Sequence, residues 1–171
     1  TEWAGMRAAW DALDDDRKAQ VSPLAAYLSL YYSQAEAGFV IETGAGYGYH
    51  TKGAPLRGLI KDHPVTGRTA LFIGRHAYGI PGLDAKASKQ LLTDLVDFAC
   101  QAPRTYKHSW QAGDVLLWDN RCLLHRACPY DTAQVRVLRH TRVSGDPATE
   151  LAETSAADQY ATDYVPATSN Y

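Results

Sequence analysis

Apolar residues recur with helical spacing at the start of the chain. Met6, Trp10 and Leu13 follow one another at intervals of four and three residues, and a charged run over residues 14–18 supplies the polar side. This spacing places apolar side chains on one face of a helix, so the pattern predicts an amphipathic helix over residues 3–20.

A second helix start and a glycine-rich stretch come next. Ser22 and Pro23 match an N-cap residue followed by proline in the first helical position, which predicts a second helix. Glycine and tyrosine then dominate residues 38–55. Long loops inside compact domains often cover a functional site, so we predict a mobile loop there.

Short apolar runs separated by turns fill the second half of the chain. They predict strands over residues 56–61, 70–74, 106–110, 115–118, 122–127 and 135–143, with one helix over residues 88–100. Short strands at this spacing are typical of an antiparallel sandwich or jelly roll. Beyond residue 147 the composition changes to small and polar residues, which predicts a polar tail over residues 148–171.

The net charge and the cysteine content indicate which kinds of partner and which cellular location to expect. The 171 residues have a formal net charge of −2, so no basic surface for a nucleic acid or an anionic membrane is expected. No apolar run is long enough to span a bilayer. Three cysteines in spacings that match no motif are typical of reduced thiols, and we therefore expect a cytoplasmic protein.

One histidine stands apart from the other five. No HExxH motif occurs and no histidine has an acidic residue two positions on, so a full iron site of two histidines and one carboxylate is not evident. His125, however, is followed by Arg136 after ten intervening residues. Neighbouring strands can aim such a pair into one barrel mouth, the histidine at a metal and the arginine at a dicarboxylate.

The last predicted strand has an unusually polar face. Period-two spacing puts Arg136, Leu138, His140 and Arg142 on the same side. Unpaired buried charge is costly, so this face lines either a polar site or solvent. The pattern is compatible with both alternatives.

Three blocks of sequence resemble a known enzyme family. They are TEWAGMRAAWDAL, KDHPVTGRTALFIGRHAYGIPGL and LVDFACQAPRTYKHSWQAGDVLLWDNRCLLHRA. With the His-x10-Arg spacing they resemble the taurine and aryloxyalkanoate dioxygenase family over residues 1–147. The resemblance implies a mostly β fold with helices, a double-stranded β-helix (jelly roll) that is incomplete at its N-terminal side.

The resemblance also implies a set of site residues. The family holds iron(II) with a His-x-Asp pair and a distal histidine, and the distal histidine corresponds to His125. Thr1 and Arg136 correspond to residues that bind the cosubstrate 2-oxoglutarate. Because the His-x-Asp pair lies upstream of that threonine in the family, this chain resembles the C-terminal part of such an enzyme.

The implied activity is that of an iron(II)- and 2-oxoglutarate-dependent dioxygenase. It would use O2 to hydroxylate a small anionic substrate, an aryloxyalkanoate, whose ether bond then breaks. His76, His140 and Arg142 are candidate substrate contacts. The tyrosines of the predicted loop over residues 38–55 either line the same pocket or pack the loop. A homo-oligomer is compatible with this interpretation.

Other interpretations stay open. A jelly-roll binding domain without catalysis, or an inactive fragment that lacks the His-x-Asp metal ligands, would have the same sequence blocks. A zinc- or thiol-based hydrolase has less support, because the spacing of Cys122 and His125 matches neither kind of motif.

Overall fold

The structure, a computed structural model, describes residues 1–44, 46, 48–49, 51–146, 148–150 and 163–165. Its elements are β1 (Glu2–Gly5), α1 (Met6–Ala12), α2 (Asp15–Val21), β2 (Ala25–Leu28), α3 (Leu30–Glu36), β3 (Leu56–Gly58), β4 (Ile60–Asp62), β5 (Thr69–Leu71), β6 (Ala77–Tyr78), α4 (Ala85–Ala99), β7 (Thr105–Lys107) and β8 (Leu123–Arg126). Strands thus outnumber helices among the described residues. Most of the predicted polar tail over residues 148–171 lies outside the described residues, as do residues 45, 47 and 50 of the predicted loop.

Strand β1 is the centre of a three-stranded antiparallel sheet with the order β7-β1-β8. It pairs Trp3 with Tyr106 on one side and with His125 on the other. The predicted helix over residues 3–20 is therefore wrong at its start. Two flanking strands satisfy the backbone groups that a helix would have satisfied within itself.

The remainder of that predicted helix is two short helices. Helix α1 ends at Ala12, and Asp14 is the N-cap of α2, with its carboxylate accepting a hydrogen bond from Arg17 N–H (2.7 Å). Aspartate is among the preferred N-cap residues because it satisfies a free N–H of the first turn. The charged run thus starts a new helix and does not continue the first one.

A second antiparallel sheet has the order β3-β2-β6. It corrects the prediction of a helix after Ser22 and Pro23, since β2 follows them and pairs Tyr27 with Tyr78 of β6. Cross-strand aromatic pairs stabilise sheets. The helix begins later, where the Ser29 hydroxyl accepts a backbone N–H of the first turn of α3 (3.2 Å).

The predicted helix over residues 88–100 is confirmed as α4. It begins earlier, at Ala85, because the Asp84 carboxylate caps its first turn with a 2.7 Å hydrogen bond. Leu91 and Leu95 lie on its buried face. Leucines four residues apart fall on the same side of a helix, which is why this prediction was straightforward.

The predicted strands have mixed outcomes. Residues 56–61 divide into β3 and β4, residues 70–74 contain β5, residues 106–110 overlap β7, and residues 122–127 contain β8. Residues 115–118 and 135–143 form no strand, and their Val115 and Val135 side chains are 90% and 95% exposed. A strand needs a hydrogen-bonding neighbour, and neither segment meets one in the described part of the chain.

One hydrophobic core joins the sheets and helices. Met6 and Ala9 of α1, Leu71 of β5 and Leu95 of α4 belong to the same buried cluster. This core lies beneath β1 and fixes its position relative to α4. Among the described helices, none combines the length and the apolar character that crossing a bilayer requires.

We predict that Leu95→Ala lowers the free energy of unfolding by about 2–5 kcal/mol, because the shortened side chain leaves a cavity in the core. Leu95 is 1% exposed. The control is Val65→Ala at a side chain that is 81% exposed, where the change should stay within about 0.5 kcal/mol. Urea unfolding of the intact protein measures both. Equal losses in the two variants would contradict this location of the core.

Candidate functional site

His125 lies on β8, the strand next to β1. Its cross-strand partner is Trp3, and its ring lies against Trp118 with ring centroids 5.4 Å apart. Trp3 and Trp118 also meet edge to face at 5.4 Å. The indole of Trp118 therefore limits the orientation of the imidazole, while the residue as a whole stays exposed.

The surroundings of His125 favour its neutral form. Burial of part of the ring lowers the pKa of His125, and the positive charge of Arg142 lowers it further. A neutral imidazole has the lone pair that a metal ion needs, whereas imidazolium has none. The residue thus has the protonation state of a metal ligand.

His76 precedes β6 and is the second histidine of this region. Its Nδ1 lies 2.6 Å from Ser33 Oγ, and the Ser33 hydroxyl donates to Leu30 O (2.9 Å). Because that hydroxyl has a single proton, we assign Nδ1–H of His76 as the donor, which leaves a lone pair on Nε2. Burial lowers the pKa of His76, with smaller contributions from Arg75 and His125.

The structure therefore groups three of the residues predicted from the sequence. The guanidinium of Arg142 lowers the pKa of His125, and a proton on His125 would lower the pKa of His76. These three side chains come from the segment before β6, from β8 and from the segment after β8. Two histidines whose pKa is lowered and a guanidinium are thus the charged and titratable groups that influence one another in this region.

Arg136 and His140 are placed differently. Both are exposed and lie in the segment that forms no strand. The guanidinium of Arg136 stacks over the ring of Tyr130 at 4.8 Å from its centroid. The structure does not bring these two side chains to His125 through any described contact, and the guanidinium of Arg136 remains open to a ligand.

Thr1 extends the ladder of β1 by one residue. Its backbone carbonyl accepts from His108 N–H (2.8 Å), and its amino group donates to His108 O (3.2 Å). Its hydroxyl accepts from Trp110 Nε1–H (2.8 Å). By the period of two in an extended chain, Thr1 and Trp3 project to the same face of the sheet.

A polar cluster that the sequence analysis missed fixes the turn before β8. Nε and Nη2 of Arg121 donate to the Asp119 carboxylate at 2.9, 3.1 and 2.7 Å, and the Arg121 backbone N–H donates at 2.9 Å. An aspartate that accepts from the backbone two residues later is a common turn, and Asp119 in the WDNR block is its sequence signal.

His63 completes this cluster from the opposite side. Its Nδ1 accepts backbone N–H groups of Val65 and Thr66, each at 3.3 Å, so the ring proton lies on Nε2, 3.0 Å from Asp119 Oδ2. Arg121 holds the pKa of Asp119 well below its usual range, against the effect of burial and with help from His63. The turn that leads into β8 is thus tied to the turn after β4.

The described residues hold no complete set of metal ligands. Within them, no three His, Cys, Asp or Glu side chains come together as a set of ligands. The neutral imidazole of His125 fits one position of such a set. The remaining positions require donors from outside the described residues.

The comparison with protein families decides the classification. Residues 1–142 match the family described as taurine catabolism dioxygenase TauD, TfdA family. The chain belongs to this family. The resemblance of the three sequence blocks is thereby confirmed.

The chain is similar to curated alpha-ketoglutarate-dependent dioxygenases. The chain is 54% identical over 156 residues to the (S)-phenoxypropionate/alpha-ketoglutarate-dioxygenase of Sphingobium herbicidovorans, covering 89% of this chain and 54% of the relative. It is 37% identical over 146 residues to the alpha-ketoglutarate-dependent 2,4-dichlorophenoxyacetate dioxygenase of Burkholderia sp., covering 85% of this chain and 48% of the relative. The chain thus spans about half the length of these relatives.

Solved structures agree with this classification. The structure of AAD-2 in complex with Mn(II) and N-oxalylglycine has a TM-score of 0.70 and 38% identity, covering 78% of this chain and 51% of that one. A putative alpha-ketoglutarate dependent 2,4-D dioxygenase from Burkholderia xenovorans has a TM-score of 0.65 and 32% identity, covering 71% of this chain and 46% of that one. The described fold therefore matches about half of each of these two chains.

We predict that Asp119→Asn destabilises the protein at pH 7 by about 1 kcal/mol, discounted because the carboxylate is partly exposed. The pKa of Asp119 is lowered in the folded state. Its contribution is therefore present above the unfolded pKa of about 4 and lost as the pH falls below it. The difference between wild type and variant should shrink from pH 7 to about pH 3.

The control for this pH series is Asp97→Asn, on the exposed side of α4. Its effect on unfolding should stay within about 0.5 kcal/mol. Urea unfolding at several pH values measures both variants. A wild-type advantage over Asp119→Asn that grows on acidification would show that the Arg121 pairing does not stabilise the turn.

Proposed function

We propose that the protein is an iron(II)- and 2-oxoglutarate-dependent dioxygenase that hydroxylates a small anionic substrate, an aryloxyalkanoate, with cleavage of its ether bond. The observation that carries this proposal is the placement of His125 on β8, opposite Trp3 and against Trp118, in a chain that belongs to the dioxygenase family. The names of the 54% identical relatives support the substrate class.

The fold in this proposal is the double-stranded β-helix, or jelly roll. The short antiparallel strands and the likeness to the AAD-2 structure support it. In this proposal the chain is the C-terminal part of the jelly-roll domain, and strands outside the described residues complete the barrel. The exposed apolar residues of the segment over residues 135–143 would then gain the neighbour that a strand requires.

His125 is the metal ligand that this chain contributes in the proposal. Its lowered pKa and its contact with Trp118 support this role, because both favour a neutral and oriented imidazole. When bound, iron(II) with 2-oxoglutarate would supply the activation of O2: 2-oxoglutarate would lose CO2 and become succinate with one oxygen atom, and the other oxygen atom would go to the substrate. The chain's own residues provide binding, orientation and protection from water.

Arg136 and Thr1 bind 2-oxoglutarate in this proposal. A guanidinium can donate two parallel hydrogen bonds to a carboxylate, and the guanidinium of Arg136 is exposed, with one ring contact to Tyr130. Thr1 supplies a hydroxyl on the same face as Trp3. The Thr1 oxygen already accepts from Trp110, so its own proton remains available for a carboxylate.

His76, Arg142 and His140 contact the anionic substrate in this proposal. Arg142 brings positive charge close to His125, which supports an anion-binding role. His76 offers a neutral Nε2 from a ring fixed by Ser33. Hydroxylation at the carbon that bears the ether oxygen gives a hemiacetal, whose breakdown separates the aryl alcohol from the remaining carbonyl compound.

We also propose that the protein is cytoplasmic and has no nucleic-acid or membrane partner. A homo-oligomer stays a prediction. The formal net charge of −2 supports the absence of nucleic-acid binding.

A second candidate function is a jelly-roll binding domain that lost its metal. The observation in its favour is that the described residues hold no three-residue ligand set.

We predict that the intact protein, supplied with iron(II), O2, 2-oxoglutarate and a phenoxypropionate, releases succinate and a phenol. His125→Ala should lower this rate by at least about a hundredfold, since the metal loses a ligand. Coupled succinate detection and chromatography of the phenol measure the two products.

The control variant is Asp97→Asn, on the exposed side of α4. It should keep the rate within about threefold of wild type, because it is not a ligand of the proposed site. Absence of succinate from the iron-loaded wild type would support the binding-domain alternative. An unchanged rate in His125→Ala would show that the assignment of the ligand is wrong.

A further inference from the structure

Four tyrosine rings form one cluster on the face made by β2, β6 and α3. Tyr32 stacks on Tyr78 with centroids 4.9 Å apart, and Tyr27 lies beside Tyr78 at 5.8 Å. We call these three rings the aromatic site. The fourth ring, Tyr164, meets Tyr32 at 5.1 Å and Tyr78 at 5.0 Å, both edge to face. Edge-to-face contact at this distance is a favoured arrangement of two aromatic rings.

The fourth ring comes from a part of the chain beyond the family match. The match ends at residue 142, whereas Tyr164 belongs to the described residues 163–165. Tyr164 is 38% exposed and Tyr78 is 9% exposed. A C-terminal residue thus covers a ring that is almost fully buried. This contact has no role in the proposed function.

The charges near the cluster agree with the contact between Tyr164 and Tyr78. Burial raises the pKa of Tyr78, and the carboxylate of Asp163 is the next largest cause. Asp163 therefore lies near the Tyr78 hydroxyl. Lys89 of α4 donates to the Glu36 carboxylate of α3 beside the cluster, which joins the two helices there.

Among the described residues, Tyr164 meets the aromatic site through ring contacts. The Tyr78 hydroxyl is buried and has no hydrogen-bond partner among the described residues. The contact with Tyr164 therefore adds aromatic packing but gives the Tyr78 hydroxyl no hydrogen bond. A phenylalanine at position 164 should dock as well as tyrosine, and an alanine should not.

The aromatic site adjoins the elements that orient His76. Tyr32 is followed directly by Ser33, whose hydroxyl accepts from His76 Nδ1–H. Tyr78 lies two residues after His76. Any movement of α3 that separates Tyr32 from Tyr78 also draws Ser33 away from His76.

We propose that Tyr164 docks residues 163–165 on the aromatic site of the same chain, and that this contact holds α3 against β6 and so positions the His76 ring. The role of His76 in substrate binding rests on the proposed function, whereas the docking of Tyr164 does not depend on it. Tyr164 is in this sense a positioning residue.

Hydrogen–deuterium exchange of the intact protein without added substrate tests the docking. Tyr164→Ala should raise the exchange rates of the α3 amides roughly threefold to thirtyfold, and Tyr164→Phe should leave them within about twofold of wild type. These factors should not change with protein concentration, because the contact lies within one chain. Unchanged exchange in Tyr164→Ala, equal effects of both substitutions, or dependence on concentration would overturn the docking.

A double-mutant cycle locates the contact. In a Tyr32→Ala background, Tyr164→Ala should have a smaller effect than in wild type, because one of the two ring partners of Tyr164 is already absent. In the background of Val65→Ala, whose side chain is 81% exposed, it should keep its full effect. Additive effects with Tyr32→Ala would show that Tyr164 acts elsewhere.

Nuclear magnetic resonance of the His76 ring tests the positioning. The hydrogen-bonded Nδ1–H signal should be present in wild type and in Tyr164→Phe, and weakened or lost in Tyr164→Ala. A signal that is unchanged in Tyr164→Ala would overturn the positioning role. Neither measurement depends on turnover, so their failure and failure of the dioxygenase assay are distinguishable.

Discussion

The pairing of β1 with both β7 and β8 is the constraint on which the candidate site depends. It joins the start of the chain to its last two described strands and sets Trp3 directly opposite His125. The same ladder carries Thr1, so the residue proposed for cosubstrate lies on the strand beside the residue proposed for metal. Without this pairing, two residues far apart in sequence would have no fixed geometry.

Two further contacts make that geometry specific. The Asp119 carboxylate binds Arg121 and His63, which fixes the turn from which β8 starts. The second contact is that of Ser33 on α3, which fixes the tautomer of His76. Burial lowers the pKa of His76 and His125, and each ring is therefore held in the neutral form that binds a metal or accepts a hydrogen bond. Packing and electrostatics thus fix two of the residues that the proposed function uses.

Local patterns predicted those parts of the fold whose contacts are local. Helix α4 and strand β8 with His125 followed from spacing and composition. The segment over residues 2–5 did not, because its conformation is set by strands from the other end of the chain, which outweigh its own helical spacing. Residues 135–143 have the pattern of a strand but no partner among the described residues. The cluster around Asp119 was missed because its ion pair depends on a turn and on His63, distant in sequence.

The most direct test is a crystal structure of the intact protein with Mn(II) and N-oxalylglycine, the combination present in the AAD-2 structure. Our account predicts that His125 coordinates the metal and that Arg136 binds the far carboxylate of the analogue, with the Thr1 hydroxyl as an additional donor. Residues 135–143 should then form a strand. A metal bound without His125, or a far carboxylate held by residues other than Arg136, would contradict the account.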